Sequence, residues 1–420
     1  MINLKLLKWI NFQKKTQFFK VKKKDLINLD QWNFNKNEIY HKSKKFFKII
    51  GIRIKSNFYK KNWDQPIILQ NEIGILGIIK NIKTKKYLLQ AKAEPGNINI
   101  VQISPTVQAT KSNYSRIHGG KSIPYLKYFT KKNKYFSLQT EQAFRYFNKK
   151  NSNIITFTSK NINLGNSFKW FSKNEIIYLL YKKNLINMDT LSVFSSFIKK
   201  NKVDVPINSE KSILKTKYLF NKKYFLKSSK INLSSLKKWN FSSKNIVHRT
   251  KKYFSIIGIK IESNKREVKE WYQPIIKGSK LAFAGFIIKE FNKTDHYLCR
   301  HILKPGSKLS TFTCTANTSN LSKYKNNIDL TGFQKKIIYK YFINRRSNIL
   351  YNNILSDEGG RFFHSQIRYM ACKLKKNENI NLPENYIWLS KNQIIKLIDK
   401  QKIDIEARLL FGIVNFKGII

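Results

Sequence analysis

The sequence contains two copies of one pattern. WNFNKNEIYHKSKKFFKIIGIRI begins at Trp32, and WNFSSKNIVHRTKKYFSIIGIKI begins at Trp239, 207 positions later and without a gap. WDQPI and WYQPI follow at an offset of 208, and EPG and KPG follow at an offset of 210. Rare residues that recur in the same order at a nearly constant offset indicate an internal duplication.

The ends of the two copies match as well. FKWFSKNEIIYLL and YIWLSKNQIIKLI each place S-x-x-E/Q before an apolar run with helical period. This is the capping-box pattern, in which the serine and the acid or amide three positions later close the start of a helix. We expect helices that begin after Ser172, with Glu175, and after Ser390, with Gln393.

Each copy is expected to be an α+β domain. FFKIIGIRIK, IGILGIIKNI, KKYLLQAKAE and NINIVQIS are β-branched, apolar and partly alternating, which is typical of strands. Closely spaced strands followed by a helix favour α+β over a doubly wound parallel sheet. We place the two homologous domains at residues 1–205 and 206–420, with a linker around 200–225.

The net charge of +58 has two interpretations. A strongly basic chain often binds nucleic acid. However, only 11 of the 82 basic residues are arginine, the lysines are spread along the whole chain, and base readout favours arginine. Biased composition therefore explains the charge better, and nucleic acid is an unlikely partner. An arginine inside a polar cluster is correspondingly more informative.

Cellular location is indicated by what the sequence lacks. No apolar run approaches the roughly 18 residues that span a bilayer, and MINLKLLKWINF has neither a long apolar segment nor a small-residue cleavage site. The three cysteines form no CxxC pair, which indicates a reducing compartment and no zinc site. We expect a cytoplasmic protein that does not enter a membrane.

The first copy carries a polar patch, SPTVQATKSNYSRIHGG at 104–120. Arg116 and His118 precede two glycines, so the segment could be a surface loop or a place where the backbone approaches a ligand. Glu94, just before Pro-Gly, is interpreted as a solvated turn carboxylate. His41 and His248 lie in amphipathic stretches and are interpreted as packed core histidines.

The second copy keeps only a decayed form of this patch, and its own polar cluster is SDEGGRFFHSQIRYM at 356–370. Arg361 lies near Glu358 and His364. The cluster could be a local ion pair on a turn, or an anion site with acid–base groups beside it. Trp32 and Trp239 could be core residues or could stack on a base or sugar.

Several motifs of cofactor-dependent enzymes are missing. The sequence has no GxxxxGK[ST], no strand-linked GxGxxG, no HExxH, no GxSxG and no Cys/His metal spacing. We therefore expect a chemistry that uses no cofactor and no metal.

Taken together, the tandem WxQPI and (E/K)PG elements, EPGNINIVQISPTVQATKSNYSRIHGG and SDEGGRFFHSQIRYM resemble the NDP-hexose 2,3-dehydratase family, from about Leu26 to Phe411. The resemblance implies a lyase that removes water across C2 and C3 of an NDP-linked 4-keto-6-deoxyhexose, such as dTDP-4-keto-6-deoxyglucose. The product would be a 3,4-diketo-2,6-dideoxy sugar that a partner 3-ketoreductase reduces. It also implies a Nudix-like fold for each copy and a homodimer. The metal-binding Nudix box is absent, so Nudix hydrolysis is not expected.

The resemblance also implies site residues. The C3 proton is acidified by the C4 ketone, and its removal needs a base and donors for the enolate. The candidates for the base are Glu358, His118 and Tyr114, and Arg361 is expected to keep Glu358 ionised. The expected substrate-binding residues are Trp32, Lys111, Ser112, Asn113, Tyr114, Ser115, Arg116, Trp239, Arg300, Thr315, Ala316, Asn317, Asn320, Glu358, Gly359, Gly360 and Arg361.

Two other classes of protein stay open at this stage. A basic tandem-domain RNA-binding protein would use aromatic side chains among lysines to stack single-stranded bases, and its affinity would depend steeply on salt. A non-catalytic sugar-nucleotide binder would bind the nucleotide sugar without turning it over. Thermal stabilisation by dTDP or UDP that RNA cannot reproduce would favour the lyase over RNA binding.

Overall fold

The computed structural model of the chain describes residues 2–59, 61–115, 119, 121–130, 134–278, 280–327, 330–344 and 348–419. Arg116 and His118 lie outside these residues. Along the described ranges, no helix is both long and apolar enough to cross a membrane.

The described residues form eight α-helices, which lie mainly at the two ends of each copy: α1 (Ile2–Thr16), α2 (Lys111–Tyr114), α3 (Lys173–Leu180), α4 (Met188–Ser195), α5 (Glu210–Lys223), α6 (Gly332–Ile337), α7 (Lys391–Asp399) and α8 (Ile405–Val414). A π-helical segment, Ile338–Ile343, continues α6.

The strands fall into two similar series. The first copy contributes β1 (Phe19–Lys24), β2 (Trp32–Phe34), β3 (Glu38–His41), β4 (Lys48–Ser56), β5 (Trp63–Leu69), β6 (Gly74–Asn81), β7 (Tyr87–Ala93), β8 (Val101–Pro105), β9 (Val107–Ala109), β10 (Lys134–Thr140), β11 (Tyr146–Phe147), β12 (Lys150–Thr158) and β13 (Phe168–Phe171). The second contributes β14 (Leu226–Ile231), β15 (Trp239–Phe241), β16 (Asn245–His248), β17 (Ser255–Ser263), β18 (Glu270–Lys277), β19 (Ala282–Phe291), β20 (Thr294–Ile302), β21 (Thr311–Thr313), β22 (Ala316–Thr318), β23 (Asn348–Ser356), β24 (Phe362–Phe363), β25 (Gln366–Lys373) and β26 (Tyr386–Ser390).

The predicted capping boxes are confirmed. The Ser172 side chain accepts a hydrogen bond from the backbone N–H of Glu175, and the Glu175 carboxylate accepts one from the Ser172 N–H. Ser390 and Gln393 make the same reciprocal pair at the start of α7. Each pair satisfies N–H groups that the first turn of a helix leaves unpaired. The four strands predicted in the first copy correspond to β4, β6, β7 and β8.

The segment 200–225, which the sequence predicts to be a linker, contains the helix α5. The Ser209 side chain accepts a hydrogen bond from Ser212 N and caps α5. Ile213 and Phe220 are the buried residues on α5, and the rest of its surface is polar or exposed. Because only two of its positions are buried, α5 has a weak apolar pattern, and the composition of the segment does not predict a helix.

Each copy builds one seven-stranded sheet and one six-stranded sheet, which agrees with the α+β prediction. The first seven-stranded sheet runs β10-β12-β6-β7-β13, and the second runs β23-β25-β19-β20-β26 when read in the corresponding direction. In both, a parallel pair at the centre, β12 with β6 or β25 with β19, is flanked by antiparallel neighbours. The duplication seen in the sequence is therefore a duplication of topology.

The two copies exchange a strand. β1, from the start of the chain, pairs antiparallel with β17 of the second copy, with Phe19 opposite Ser263. β14 pairs in the same way with β4 of the first copy, with Leu226 opposite Ser56. Each six-stranded sheet is therefore completed by the other copy, and the two halves are joined by backbone hydrogen bonds.

The (E/K)PG turns also cross between the copies. Gly96 N donates to Gly359 O at 2.7 Å, and Gly306 N donates to Ala143 O at 2.7 Å. A Cβ atom at Gly96 would lie 1.9 Å from the Phe362 carbonyl oxygen, so only glycine fits at this close approach. These turns fix the loop of one copy against the sheet edge of the other.

A hydrophobic core lies where the two copies meet. Trp32 and Trp239 are both buried in it, with residues from each copy around them. The Trp32 indole donates to Tyr272 O, and the Trp239 indole donates to Asp64 O, both at 2.7 Å. The equal contacts of the two indoles show the approximate twofold relation between the copies.

Candidate active site

A cavity of about 500 Å³ lies on the seven-stranded sheet of the first copy. The second copy contributes part of its wall, from the β17–β18 loop, β18 and the turn before β24. The strand exchange and the crossing turns described above bring these segments together. The cavity is therefore made by both copies, although the surrounding sheet belongs to one.

Six carboxyl groups border this cavity, and two of them, Glu94 and Glu358, act electrostatically on a third, Asp189. Burial raises the pKa of Glu358 from 4.5 to about 7, against the opposing effects of Arg361 and of a hydrogen bond from Tyr146. Burial, followed by repulsion from Glu358 and other carboxylates, raises the pKa of Asp189 well above its ordinary value. The site therefore combines a carboxyl group, Glu358, whose pKa is raised to about 7 with a second, Asp189, whose protonated form is favoured by burial.

Glu358 is held by the hydroxyl group of Tyr146, which donates to one of its carboxylate oxygens. Burial and the nearby Glu358 charge raise the pKa of this tyrosine well above 10.0, so the hydroxyl stays protonated. Arg361 favours the ionised form of Glu358, as expected, but the desolvation of the carboxylate outweighs this attraction and leaves the pKa at about 7.

Glu94 is only 3% exposed, so its interpretation as a solvated turn carboxylate is wrong. It accepts hydrogen bonds from Gln108 Nε2 at 2.8 Å and from Asn187 Nδ2 at 3.0 Å, and it lies 3.5 Å from Lys92 Nζ. These partners lie on strands β7 and β9 or next to α4. Pro-Gly after Glu94 forms the turn, while the carboxylate points back into the protein.

Arg361 borders the cavity beside Glu358. Its guanidinium stacks on the Phe47 ring, with Cζ 4.1 Å from the ring centroid, and Nη1 donates to Gly360 O at 3.0 Å. Its buried Nε has no hydrogen-bond partner among the described residues. The Phe47 ring thus orients the arginine, and its Nε–H can donate a hydrogen bond to a ligand.

The KSNYS segment forms the short helix α2 at one edge of the cavity. Asn113 borders the cavity, and Ser112 is buried, with its N–H and hydroxyl both donating to Glu72. Tyr114 packs against a hydrophobic cluster of the first copy. Lys111 and Ser115 are exposed, and the Ser115 hydroxyl donates to Lys111 O.

The structure thus brings five predicted site residues to one cavity and leaves others away from it. Those that border it are Trp32, Asn113, Glu358, Gly360 and Arg361. The expected binding residues of the second copy lie on its own sheet instead, on or beside β20–β22: Arg300, Thr315, Ala316, Asn317 and Asn320. Thr315 bonds to Leu298 O and Ile287 N, and Arg300 bonds to Asn317, so these side chains are used within the sheet.

The predictions for the paired tryptophans and the paired histidines have different outcomes in the two copies. Trp239 lies in the core with its indole bonded to Asp64 O, whereas its counterpart Trp32 also borders the cavity. His248 is a buried core residue, as predicted. His41 is not, because it is half-buried at the cavity wall and bonded to Ser43 Oγ at 2.8 Å. Gly359 lies behind the cavity, where its carbonyl accepts from Gly96 N.

Comparison of the copies explains why one cavity is open. Gly360 borders it, and the equivalent position in the first copy's turn is Phe144. Lys304, which replaces Glu94, lies 5.5 Å from the Phe144 ring centroid and pairs with Asp404 and Glu406. A bulky ring and a buried ion pair therefore occupy the region that corresponds to the open site.

Sequence reasoning missed several cavity residues: Lys92, Tyr146, Lys149, Asp189 and Arg266. A usable signal existed for one of them, since Lys92 and Glu94 alternate on a strand and must share a face. The others come from distant segments with no motif of their own.

The arrangement combines an acid–base pair with arginine and aromatic groups around a polar cavity, which suits proton transfer on an anionic ligand. The profile of the family described as NDP-hexose 2,3-dehydratase matches the chain twice, at residues 3–197 and 218–414. The chain belongs to this family. Its members are lyases that dehydrate a nucleotide-linked hexose in deoxysugar biosynthesis.

Similar proteins carry one name, dTDP-4-dehydro-6-deoxy-alpha-D-glucopyranose 2,3-dehydratase. The chain is 29% identical to the protein of Amycolatopsis orientalis, covering 97% of this chain and 89% of the relative. It is 28% identical to that of Saccharopolyspora spinosa, covering 91% and 85%. It is 29% identical to that of Streptomyces violaceoruber, covering 94% and 93%.

Proposed function

We propose that the cavity of the first copy removes water across C2 and C3 of dTDP-4-keto-6-deoxyglucose. The observation that carries the proposal is Glu358, a carboxyl group with a pKa of about 7 that faces the cavity between Tyr146 and Arg361. A base with such a pKa has a large ionised fraction at neutral pH and retains enough basicity to accept a carbon-bound proton.

Glu358 takes the C3 proton, and the electron pair of the C3–H bond moves into an enolate on the C4 ketone. The enolate then forms the C2–C3 double bond, the C4 ketone returns, and the C2–O bond breaks. The leaving hydroxyl needs a proton, which protonated Asp189 can supply, so that water departs.

The product is an enol that becomes the 3,4-diketo-2,6-dideoxy sugar when C2 takes a proton from solvent. Arg361 is a cationic donor beside Glu358, and it suits the enolate oxygen. Tyr114 and His118, the other candidate bases, receive no role here, because Tyr114 packs in a hydrophobic cluster and His118 lies outside the described residues.

Substrate binding uses residues at the cavity wall. Trp32 offers an aromatic surface for the base, and Asn113 offers an amide. Lys111 and Ser115 are exposed at the edge formed by α2 and remain proposed contacts, and so does Arg116, which lies outside the described residues.

The prediction for Ser112 is wrong, because this serine is buried and its N–H and hydroxyl both donate to Glu72. The second-copy residues receive no role in the proposal, because they lie on the sheet of the second copy, where Phe144 and Lys304 occupy the corresponding region: Arg300, Thr315, Ala316, Asn317 and Asn320.

The wider setting follows the family resemblance. We propose domains at 1–205 and 206–420, each with a Nudix-like fold, and a cytoplasmic homodimer. A 3-ketoreductase would act next, since the diketo product is unstable. Light scattering on the purified protein tests the dimer, and the RNA-binding and non-catalytic alternatives gain no support from the family match.

The reaction is tested with the purified protein, dTDP-4-keto-6-deoxyglucose and a 3-ketoreductase with its nicotinamide cofactor in D₂O. We expect a trapped product that lacks the C2 oxygen of the substrate, carries the reductase's hydride at C3 and carries one solvent-derived deuterium at C2. Recovery of intact substrate, or a product that keeps its C2 oxygen, would overturn the proposal.

Glu358→Gln tests the role of the base. The variant should lose activity by at least about 100-fold, because a positioned base contributes about that much. Glu141→Gln is the matched control: this buried carboxyl lies in the equivalent turn of the first copy and does not border the cavity. It should keep activity within a few-fold. Equal losses in both variants would point to a structural effect and would exclude Glu358 as the base.

A further inference from the structure

Arg266 is a cavity residue that no motif singles out. It lies on the β17–β18 loop of the second copy and reaches over the sheet of the first, where its Nη1 donates to Ala93 O at 3.0 Å. Its guanidinium lies 5.8 Å from the Trp271 ring centroid, and its Nε bonds to Glu267 at 3.2 Å. The arginine is thus fixed at the wall of a site that belongs mainly to the other copy.

The loop that carries Arg266 is held at several points. Asn264 N donates to Phe18 O, at the start of the exchanged strand β1, and Ser263 N donates to Lys269 O. Lys121 N donates to Glu267 O at 3.2 Å, which ties the loop to the segment after the polar patch. Such a loop positions its arginine before a ligand arrives, and this lowers the ordering cost of binding.

The equivalent residue in the other copy is Tyr59. Its hydroxyl donates to Leu303 O at 2.7 Å, just as Arg266 donates to Ala93 O, and its ring lies 5.3 Å from that of Trp63. The anchoring bond and the tryptophan contact therefore do not require an arginine. What Arg266 adds, relative to tyrosine, is a permanent positive charge with further N–H donors.

Arg266 and Lys92 are neighbouring cations at the cavity wall, and each has a carboxylate beside it, Glu267 or Glu94. The pKa of Lys92 is lowered mainly by burial and secondly by the positive charge of Arg266. An anion that binds beside both cations adds an attraction to each of them. Glu267 and Glu270 also border the cavity, and Glu267 already uses one donor of the arginine.

We propose that Arg266 binds the diphosphate of the substrate, with Lys92 as its neighbour, while Arg361 serves the reacting sugar beside Glu358. This inference rests on the proposed function, because it takes the substrate to be a nucleoside diphosphate sugar. Guanidinium groups suit the task, since their planar donors can contact two phosphate oxygens at once. The second copy thereby supplies the substrate anchor for the chemistry of the first.

The test compares dTDP with thymidine by calorimetry on the wild-type chain and on Arg266→Gln. The backbone hydrogen bonds of Asn264, Ser263 and Lys121 do not involve the arginine side chain, so the loop should stay in place. We expect Kd for dTDP to rise about 10- to 100-fold and Kd for thymidine to change by less than about threefold. Arg266→Lys should fall between wild type and Arg266→Gln, because it keeps the charge and loses the planar contact.

Lys265→Gln is the matched control, because it removes one positive charge from an exposed position on the same loop. Its dTDP affinity should equal that of the wild type. In turnover assays, Arg266→Gln should act mainly on KM. Unchanged dTDP affinity in Arg266→Gln, or an equal loss of thymidine affinity, would overturn the inference.

The two proposals fail in different ways. A wild-type protein that binds dTDP through Arg266 but does not dehydrate the sugar would refute the proposed function alone. A wild-type protein that dehydrates the sugar, with Arg266→Gln still binding dTDP normally, would refute the role of Arg266 alone.

Discussion

Replacement of Glu358 by glutamine should stabilise the protein while it removes the activity. The pKa of Glu358 is raised from 4.5 to about 7 by burial, so the folded state holds this proton more tightly than the unfolded chain does. A raised carboxyl pKa means that stability falls as pH increases through the interval between the two values. Glutamine has the same shape, carries no charge and can accept the hydrogen bond of Tyr146.

The size of the effect follows from the shift. Below pH 4.5 the carboxyl group is neutral in both states and the variant gains nothing. Between pH 4.5 and 7 the unfolded chain releases the proton first, and above pH 7 the full penalty of at most about 3 kcal/mol is reached. We therefore expect Glu358→Gln to exceed the wild type by less than about 1 kcal/mol at pH 5 and by about 3 kcal/mol at pH 8.

Urea unfolding of both proteins at pH 5, 6, 7 and 8 measures this difference directly. Asp357, whose pKa burial also raises to about 7, is present in both proteins, so its titration largely cancels in the comparison. A difference that does not grow between pH 5 and pH 8 would refute the raised pKa of Glu358. A variant that is less stable at pH 8 would show that the carboxylate is a net stabilising group.

Three further outcomes are expected. The kcat/KM of the wild type should rise about tenfold per pH unit below pH 7 and level off above it, because Glu358 must be ionised to accept a proton; a flat profile would contradict this. Arg361→Lys should lose at least about tenfold in kcat, whereas Arg145→Lys, which changes the equivalent arginine stacked on Phe254, should stay within a few-fold in steady-state assays. Gly96→Ala should fail to fold or lose more than about 4 kcal/mol in its free energy of unfolding, because its Cβ would lie 1.9 Å from a carbonyl oxygen. Gly332→Ala is the control: it has open space around its Cβ and should melt within a few degrees of the wild type.

Local features were predictable because their signals are local. Ser172 and Ser390 form their capping boxes with residues three positions away, and the predicted strands of the first copy follow from alternation along short segments. The duplication could be found because rare residues such as Trp32 and Trp239 keep their spacing. The cluster at Glu358 and Arg361 could be proposed from their adjacency and from the family resemblance.

The burial of functional groups was less predictable. Glu94 has the sequence context of an exposed turn, yet its carboxylate is enclosed by partners from β9 and the start of α4. His41 and His248 have matching sequence contexts, yet only His41 borders a cavity. The surroundings of each side chain depend on what the other copy places against it.

The sequence by itself determined the repeat, the α+β class, the helix starts and part of the carboxyl–arginine site, because spacing and periodicity act over a few residues. Only the tertiary structure decided that β1 and β14 exchange sheets and that Asp189, Arg266 and Glu358 meet at one cavity. β1 is mostly exposed and β14 has only exposed and half-buried residues, and nothing in their local patterns specifies a partner at least 170 positions away along the chain. That choice depends on the total burial and hydrogen bonding of the folded chain.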